Sequence, residues 1–223
     1  MSVDEATAAI AHEIRQPLGA MLLNSETALR CLQRETPDVA EARACIADAI
    51  VDSSRASDTV AAVRALFKTS ARHRSMTDIN RLVREVLRMV ENDLHVHGVS
   101  VSTEFQEDVP EVVGDPTQLQ QVILNLVKNA IDAIAIGPTT QKAIRLITTY
   151  DGKSAVSIYV QDTGPGIALD NETHVFDPFF TTKPSGMGLG LSISRRIIAD
   201  HGGDLRLTET TSKGCIFEIT LPV

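Results

Sequence analysis

The stretch that decides the fold is "DPTQLQQVILNLVKNAIDAI", residues 115–134. Asp115 followed by Pro116 is a helix N-cap with proline at the first helical position, where its missing N–H costs nothing. In the amphipathic helix that follows, Gln121, Asn125 and Asn129 recur every fourth residue and share one face. Asparagine is a mediocre helix former because its side chain competes for backbone hydrogen bonds. Two of them, one beside Lys128, imply that something polar lies against that face.

Outward from this helix, helical and strand patterns alternate. "TDINRLVREVLRMV" (77–90) is a capped helix, "VSVSTEFQ" (99–106) alternates as a strand, and "AIRLITTYDGKSAVSIYVQD" (143–162) is a hairpin turning at Asp151-Gly152. "GLSISRRIIADHGG" (190–203) is a helix stopped by Gly202, and "DLRLTETTSKGCIFEITLPV" (204–223) is a second hairpin. Residues 71–223 therefore predict an α+β sandwich, a mixed sheet with one layer of helices.

Residues 1–70 differ in character. Val39, Ala42, Ile46, Ala49, Ser53, Ala56, Val60, Val63 and Phe67 recur at steps of three and four, the seam of a coiled coil or bundle. Ile10, Ile14, Met21, Ala28 and Cys31 form a second stripe, widened by Leu18, Leu22, Leu29 and Leu32, and "RETPDVAE" (34–41) breaks the two apart. The expectation is an antiparallel helical hairpin, joined by the polar connector 68–75. Two helices cannot hide so broad an apolar face, so two copies should pair as a dimeric four-helix bundle.

Composition excludes several classes. The chain has 223 residues, 43% of them hydrophobic, a formal net charge of -8 and a pI near 5.2, with no basic run interleaved with aromatics, so nucleic acid is not expected as a partner. No apolar run approaches the roughly 18 residues of a membrane span, and the N-terminus lacks a basic region followed by an apolar stretch, so neither anchor nor signal peptide is expected in this segment. The segment is expected to be cytoplasmic and to make no membrane contact, although a longer protein could be anchored elsewhere. Cys31, Cys45 and Cys215 lack ligand spacing and are expected to be small buried hydrophobes.

The glycines carry the chemistry. "GKS" at 152–154 imitates the end of a P-loop, but Ile147 stands where the motif needs glycine and the segment is a hairpin turn. In "QDTGPGIA" (161–168) a strand runs into Asp162, after which Gly164 and Gly166 let the backbone turn tightly. Asp162 could accept from an exocyclic amine such as that of adenine, or cap its own turn; both readings fit. "GMGLGLSISRR" (186–196) places three alternating glycines before a helix, where bare N–H groups and a helix N-terminus suit phosphate. Amides on a helix, Asp-x-Gly-x-Gly after a strand, "FDPFFTTK" (176–183) and Gly-x-Gly-x-Gly before a helix form a specific order within one domain.

With these motifs the sequence resembles the catalytic and dimerisation core of a sensor histidine kinase, whose ATP-binding domain is of the type shared by gyrase, mismatch-repair ATPases and a heat-shock chaperone. "AHEIRQPLGAML" (11–22) is similar to the phosphoacceptor box of the subgroup with Gln-Pro after the histidine. The resemblance implies a homodimer using ATP and Mg2+, with His12 as phosphoacceptor, Glu13 as its hydrogen-bond partner and a response-regulator receiver domain as partner. It implies Mg2+ on Asn129, Asn125 beside the phosphates and Lys128 offsetting their charge. It further implies adenine on Asp162, a pocket shaped by Gly164 and Gly166, and a triphosphate wrapped by Gly186, Gly188, Leu189 and Gly190, with Lys183 as a further phosphate contact. Gln16, one turn past His12, stands where many relatives carry threonine or asparagine to orient a water for receiver dephosphorylation. Two alternatives keep the nucleotide domain but drop phosphotransfer: an ATP-driven conformational clamp, and a dimeric interaction module. The "HEIRQP" box weighs against the clamp, and the presence of every motif residue weighs against the module.

Overall fold

The computed structural model divides into two units, residues 1–69 and 70–223. It describes residues 3–67, 74–137, 141–183 and 188–223, except the side chains of 3–14, 54–55 and 58–67.

The first unit is a hairpin of α1 (Val3–Leu32) and α2 (Val39–Phe67). Asp38 begins α2 by accepting the Glu41 N–H on its carboxylate at 3.1 Å. The two helices meet through small side chains, Ala28 and Cys31 against Ala42 and Cys45, and buried Ala49 and Ala56 extend the line along α2. Asn24 reaches Asp52 across the hairpin at 3.3 Å. Of the expected seam, Ala42, Ala49 and Ala56 face inward with Cys45, Val39 and Ile46 are 54% and 45% exposed on the single hairpin, and the side chains of Val60, Val63 and Phe67 lie outside the described residues. The apolar set on α2 is wider than one contact can cover, and the small residues face the partner helix. Leu18, Leu22, Leu29, Leu32, Ile46 and Ile50 are left outside.

The second unit runs β1 (Ser75–Thr77), α3 (Ile79–Met89), α4 (Glu91–His97), β2 (Ser100–Phe105), β3 (Val112–Gly114), α5 (Pro116–Ile136), β4 (Ala143–Tyr150), β5 (Ala155–Asp162), a 3-10 turn (Leu169–Asn171), α6 (Gly190–Asp200), β6 (Asp204–Thr211) and β7 (Gly214–Pro222). Five strands form one sheet in the order β2-β4-β5-β7-β6, parallel only between β2 and β4. The expected mixed sheet with a helical layer is therefore present. Short β1 and β3 form a separate antiparallel pair, and this pair and α4 were not expected from the sequence.

The core lies between sheet and helices, where alternate residues of β4, β5 and β7 (Ile144, Leu146, Val156, Ile158, Val160, Ile219, Leu221) meet the inner faces of α3, α5 and α6. By length and composition α5 could cross a membrane, contrary to the sequence expectation, but eight of its residues, including Leu119, Ile123 and Leu126, are buried within this unit. All three cysteines are buried and free, as expected.

Two buried polar devices fix the helices. The Thr148 hydroxyl donates to Asn80 Oδ1 at 2.6 Å, and Asn80 Nδ2 donates to the Gln106 carbonyl at 2.9 Å, tying α3 to the sheet. At the end of α6, buried His201 donates from Nδ1 to the Ile197 carbonyl (2.7 Å) and accepts the Asp115 N–H on Nε2 (3.0 Å). The imidazole thus braces the C-terminus of α6 against the start of α5. Gly114 has no room for a side chain there, since a Cβ would lie 2.6 Å from Leu119 Cδ1. His201→Ala leaves the Asp115 N–H without its acceptor and opens a void, so it is expected to cost about 1–3 kcal/mol in urea unfolding. A loss below roughly 0.5 kcal/mol would contradict the brace.

Candidate active site

The site is built on the polar face of α5. Asn125 and Asn129 are half-buried there, whereas Gln121 and Lys128 are exposed. Asn125 Nδ2 donates to the Ser194 hydroxyl on α6 at 3.1 Å, and a Cβ on Gly190 would stand 2.4 Å from Asn125 Oδ1. Glycine at the first position of α6 is what lets this helix end reach α5. Among the described residues no side chain caps α6, so its leading N–H groups are oriented as donors for an anion.

One turn along α5, Asn129 Oδ1 accepts the Lys183 ammonium at 2.8 Å, and Asp132 Oδ2 accepts it at 2.7 Å. A cation is therefore already held by the oxygen at which the sequence expectation puts magnesium. An amide oxygen is a hard donor of the kind such an ion prefers, so Asn129 fits it.

Asp162 ends β5 almost fully buried, accepting the Gly164 N–H at 2.7 Å. Turn capping, one of its two sequence readings, is thus observed. Burial raises the carboxyl above the ordinary aspartate range, against the lowering effect of the N–H groups of Gly164 and Cys215. Behind it, burial pushes the Cys215 thiol up to about 11, so it is protonated at neutral pH, and its sulfur lies 3.4 Å from the Thr210 hydroxyl. A Cβ on Gly164 would lie 2.9 Å from Asp162 Oδ1 and 3.0 Å from the Ala133 Cβ on α5. Gly166, at φ 75°, would drive a Cβ to 1.9 Å from the Thr211 carbonyl oxygen, so both glycines are required by close approach.

The segment between Asp162 and α6 is pinned at its base. Phe179 takes φ 69°, rare for a non-glycine residue, and donates its N–H to the Gly188 carbonyl at 2.9 Å. Gly188, at φ 64°, packs on the Phe179 and Phe180 backbone with no space for a side chain. Phe176 packs edge-on to Phe217 with the Arg195 guanidinium over its ring. Leu189 is buried, which leaves only its backbone for a ligand. Gly186 lies outside the described residues.

On the first unit, His12 and Glu13 fall within α1, but their side chains lie outside the described residues. Gln16 is exposed one turn on, and α1 continues through Pro17. Sequence reasoning missed Asp132 and Ser194. The signal for Asp132 was its place three residues after Asn129 on the same face, and for Ser194 its place one turn after Gly190.

Residues 114–223 match the family described as histidine kinase-, DNA gyrase B- and HSP90-like ATPase. The whole chain is 33% identical to sensor histidine kinase TmoS of Ectopseudomonas mendocina, covering 23% of that protein, and it spans less than half the length of the curated relatives it matches. The solved catalytic domain of histidine kinase ThkA is 34% identical, with a TM-score of 0.58 over 67% of this chain and 95% of that one. The structure of ThkA in complex with response regulator protein TrrA aligns with 98% of this chain and 61% of that one, at 28% identity and a TM-score of 0.72. With an ATPase-type nucleotide domain and a solved kinase domain matched over nearly its full length, this chain belongs to the sensor histidine kinase family.

Proposed function

We propose that the chain is the kinase core of a two-component sensor, which phosphorylates itself on His12 from ATP and passes the group to an aspartate of a receiver domain. The observation that carries this reading is the meeting, within one unit, of three subsites suited to the parts of a nucleotide. Buried Asp162 suits the adenine amine, the uncapped α6 behind Gly188, Leu189 and Gly190 suits the phosphates, and Asn129 Oδ1 already holds a cation. Asn125 would lie beside the phosphates and Lys128 would offset their charge, and Gly186, outside the described residues, is assigned to the same phosphate site. Magnesium, when bound through Asn129, would supply charge neutralisation at the triphosphate.

In this reading Glu13 accepts the N–H of one His12 ring nitrogen and leaves the other as a neutral nucleophile. The new bond joins that nitrogen to the γ-phosphorus while the bond from phosphorus to the bridging oxygen breaks and ADP departs. Glu13 stabilises the positive charge that develops on the ring and takes its proton. The receiver aspartate then attacks the same phosphorus, the phosphorus–nitrogen bond breaks, and Glu13 returns the proton to the ring, so that neutral His12 is regenerated. Gln16 is the residue assigned to orienting water for the reverse, phosphatase task. A homodimer is supported by the large apolar side chains that one hairpin leaves exposed, among them Leu22 at 60% and Ile50 at 66%. ThkA, which has been solved with a response regulator, supports the choice of partner class.

The test is incubation with γ-labelled ATP. Wild type is expected to take up acid-labile, alkali-stable label, and His12→Gln and Asn129→Asp are each expected to lose it by roughly a hundred-fold or more while staying folded. Mixing the two variants shows whether transfer crosses between protomers. Full labelling of folded Asn129→Asp would contradict the cation assignment, and release of free phosphate without labelled protein would favour the clamp.

A second expectation concerns Asp162. The folded chain holds its proton more tightly than the unfolded chain does, so this residue costs stability as pH rises through the raised pKa. Asp162→Asn removes that cost. Its melting temperature at neutral pH should equal or exceed wild type, the difference closing below about pH 4, while adenine nucleotide affinity falls roughly ten-fold or more. A variant that melts lower at neutral pH and binds normally would contradict both parts.

A further inference from the structure

Lys183 has two partners on α5, and they differ in kind. Asn129 offers a neutral amide oxygen at 2.8 Å, and Asp132 offers a carboxylate oxygen at 2.7 Å. Asp132 is more than half exposed and Lys183 about a quarter exposed, so the pair sits at the rim of the site. The Lys183 main chain is itself set locally, its N–H donating to the Thr181 hydroxyl at 3.1 Å.

We infer that Asp132 is a positioning residue for nucleotide binding, holding the Lys183 ammonium beside the phosphate end of the site. This rests on the nucleotide reading given above. A lysine side chain on a loop has many rotamers and a strongly hydrated head, so without an anchor it spends most of its time in solvent. Asn129 is a poor sole anchor, because an oxygen engaged by a metal ion is no longer available to an ammonium. Asp132, one turn along the same face, is the partner that need not be given up. A charge-assisted hydrogen bond at this distance fixes direction as well as position.

Charge and position predict opposite signs, which makes the inference testable. Removing a carboxylate from the rim of a polyanion site should, by relief of Coulomb repulsion alone, tighten nucleotide binding. If Asp132 positions Lys183, removing it should weaken binding. The experiment titrates a fluorescent ADP analogue into the whole chain, first with EDTA and then with Mg2+. The proteins are wild type, Asp132→Asn, Asp132→Glu, Lys183→Met and the Asp132→Asn/Lys183→Met double variant.

With Mg2+, Asp132→Asn is expected to bind about three- to ten-fold more weakly and Asp132→Glu to recover part of the loss, while with EDTA, where Asn129 Oδ1 can still hold the ammonium, the loss should be smaller. The double variant should bind little more weakly than Asp132→Asn alone, since the two residues act as one unit. Unchanged or tighter binding by Asp132→Asn, or losses that multiply in the double variant, would overturn this role and leave the kinase reading intact. A wild type that binds no nucleotide in either buffer would overturn that reading and this role with it.

Discussion

The contact between α5 and α6 is the constraint on which the rest of the second unit depends. A helix whose inner face is core can present a polar row of amides only if its outer face is approached by backbone and not by bulky side chains. Gly190 provides this, because Asn125 Oδ1 occupies the space its side chain would need. The Asn125–Ser194 hydrogen bond holds the near end of the contact, and the His201–Asp115 hydrogen bond holds the far end. Between these two fixed points the uncapped start of α6 and the polar row of α5 stay in register. The required accuracy comes from buried polar bonds in two helices already seated on the sheet, whereas the loop supplies mainly glycine and lysine.

The same division explains what was legible in the sequence. Elements with a strong period or cap were read correctly: α5 from Asp115 and Pro116, the β4–β5 hairpin from Asp151-Gly152, and α6 up to Gly202. The short pieces were not. Three-residue β1 and β3 are too brief for alternation to show, and seven-residue α4 buries none of its side chains, so no apolar stripe marks it. Asn125, Asn129, Asp162 and the glycines stood out as candidates because their residue types are costly where they stand. Asp132 and Ser194 escaped because an exposed aspartate and a helical serine are unremarkable until the partner is known. On the hairpin, periodicity identified two helices but not which stripe faces inward, because large residues extend around α2 and only packing shows that Cys45 and the alanines are chosen.

The two units differ in what they bury. The second has a closed core of Ile, Leu and Val between sheet and helices, while the hairpin buries chiefly alanine and cysteine and leaves its leucines and isoleucines outside. Small inward residues bring α1 and α2 close, and the large outward ones are left for another surface. A hairpin of this kind gains most of its apolar burial by association. In the proposed reading the phosphoacceptor box lies on an element that would gain stability by pairing, and the nucleotide residues on one that carries its own core.

The central claim is that a nucleotide held by α5 and α6 delivers its terminal phosphoryl group to a histidine of α1. Peptide mapping by mass spectrometry under neutral conditions, after incubation of the whole chain with Mg-ATP, tests it directly. The account predicts a single added phosphoryl group on the peptide containing residues 11–22, localised to His12 and lost on brief acid treatment. ADP and free phosphate with every peptide unmodified, or a phosphoryl group on another residue, would contradict it.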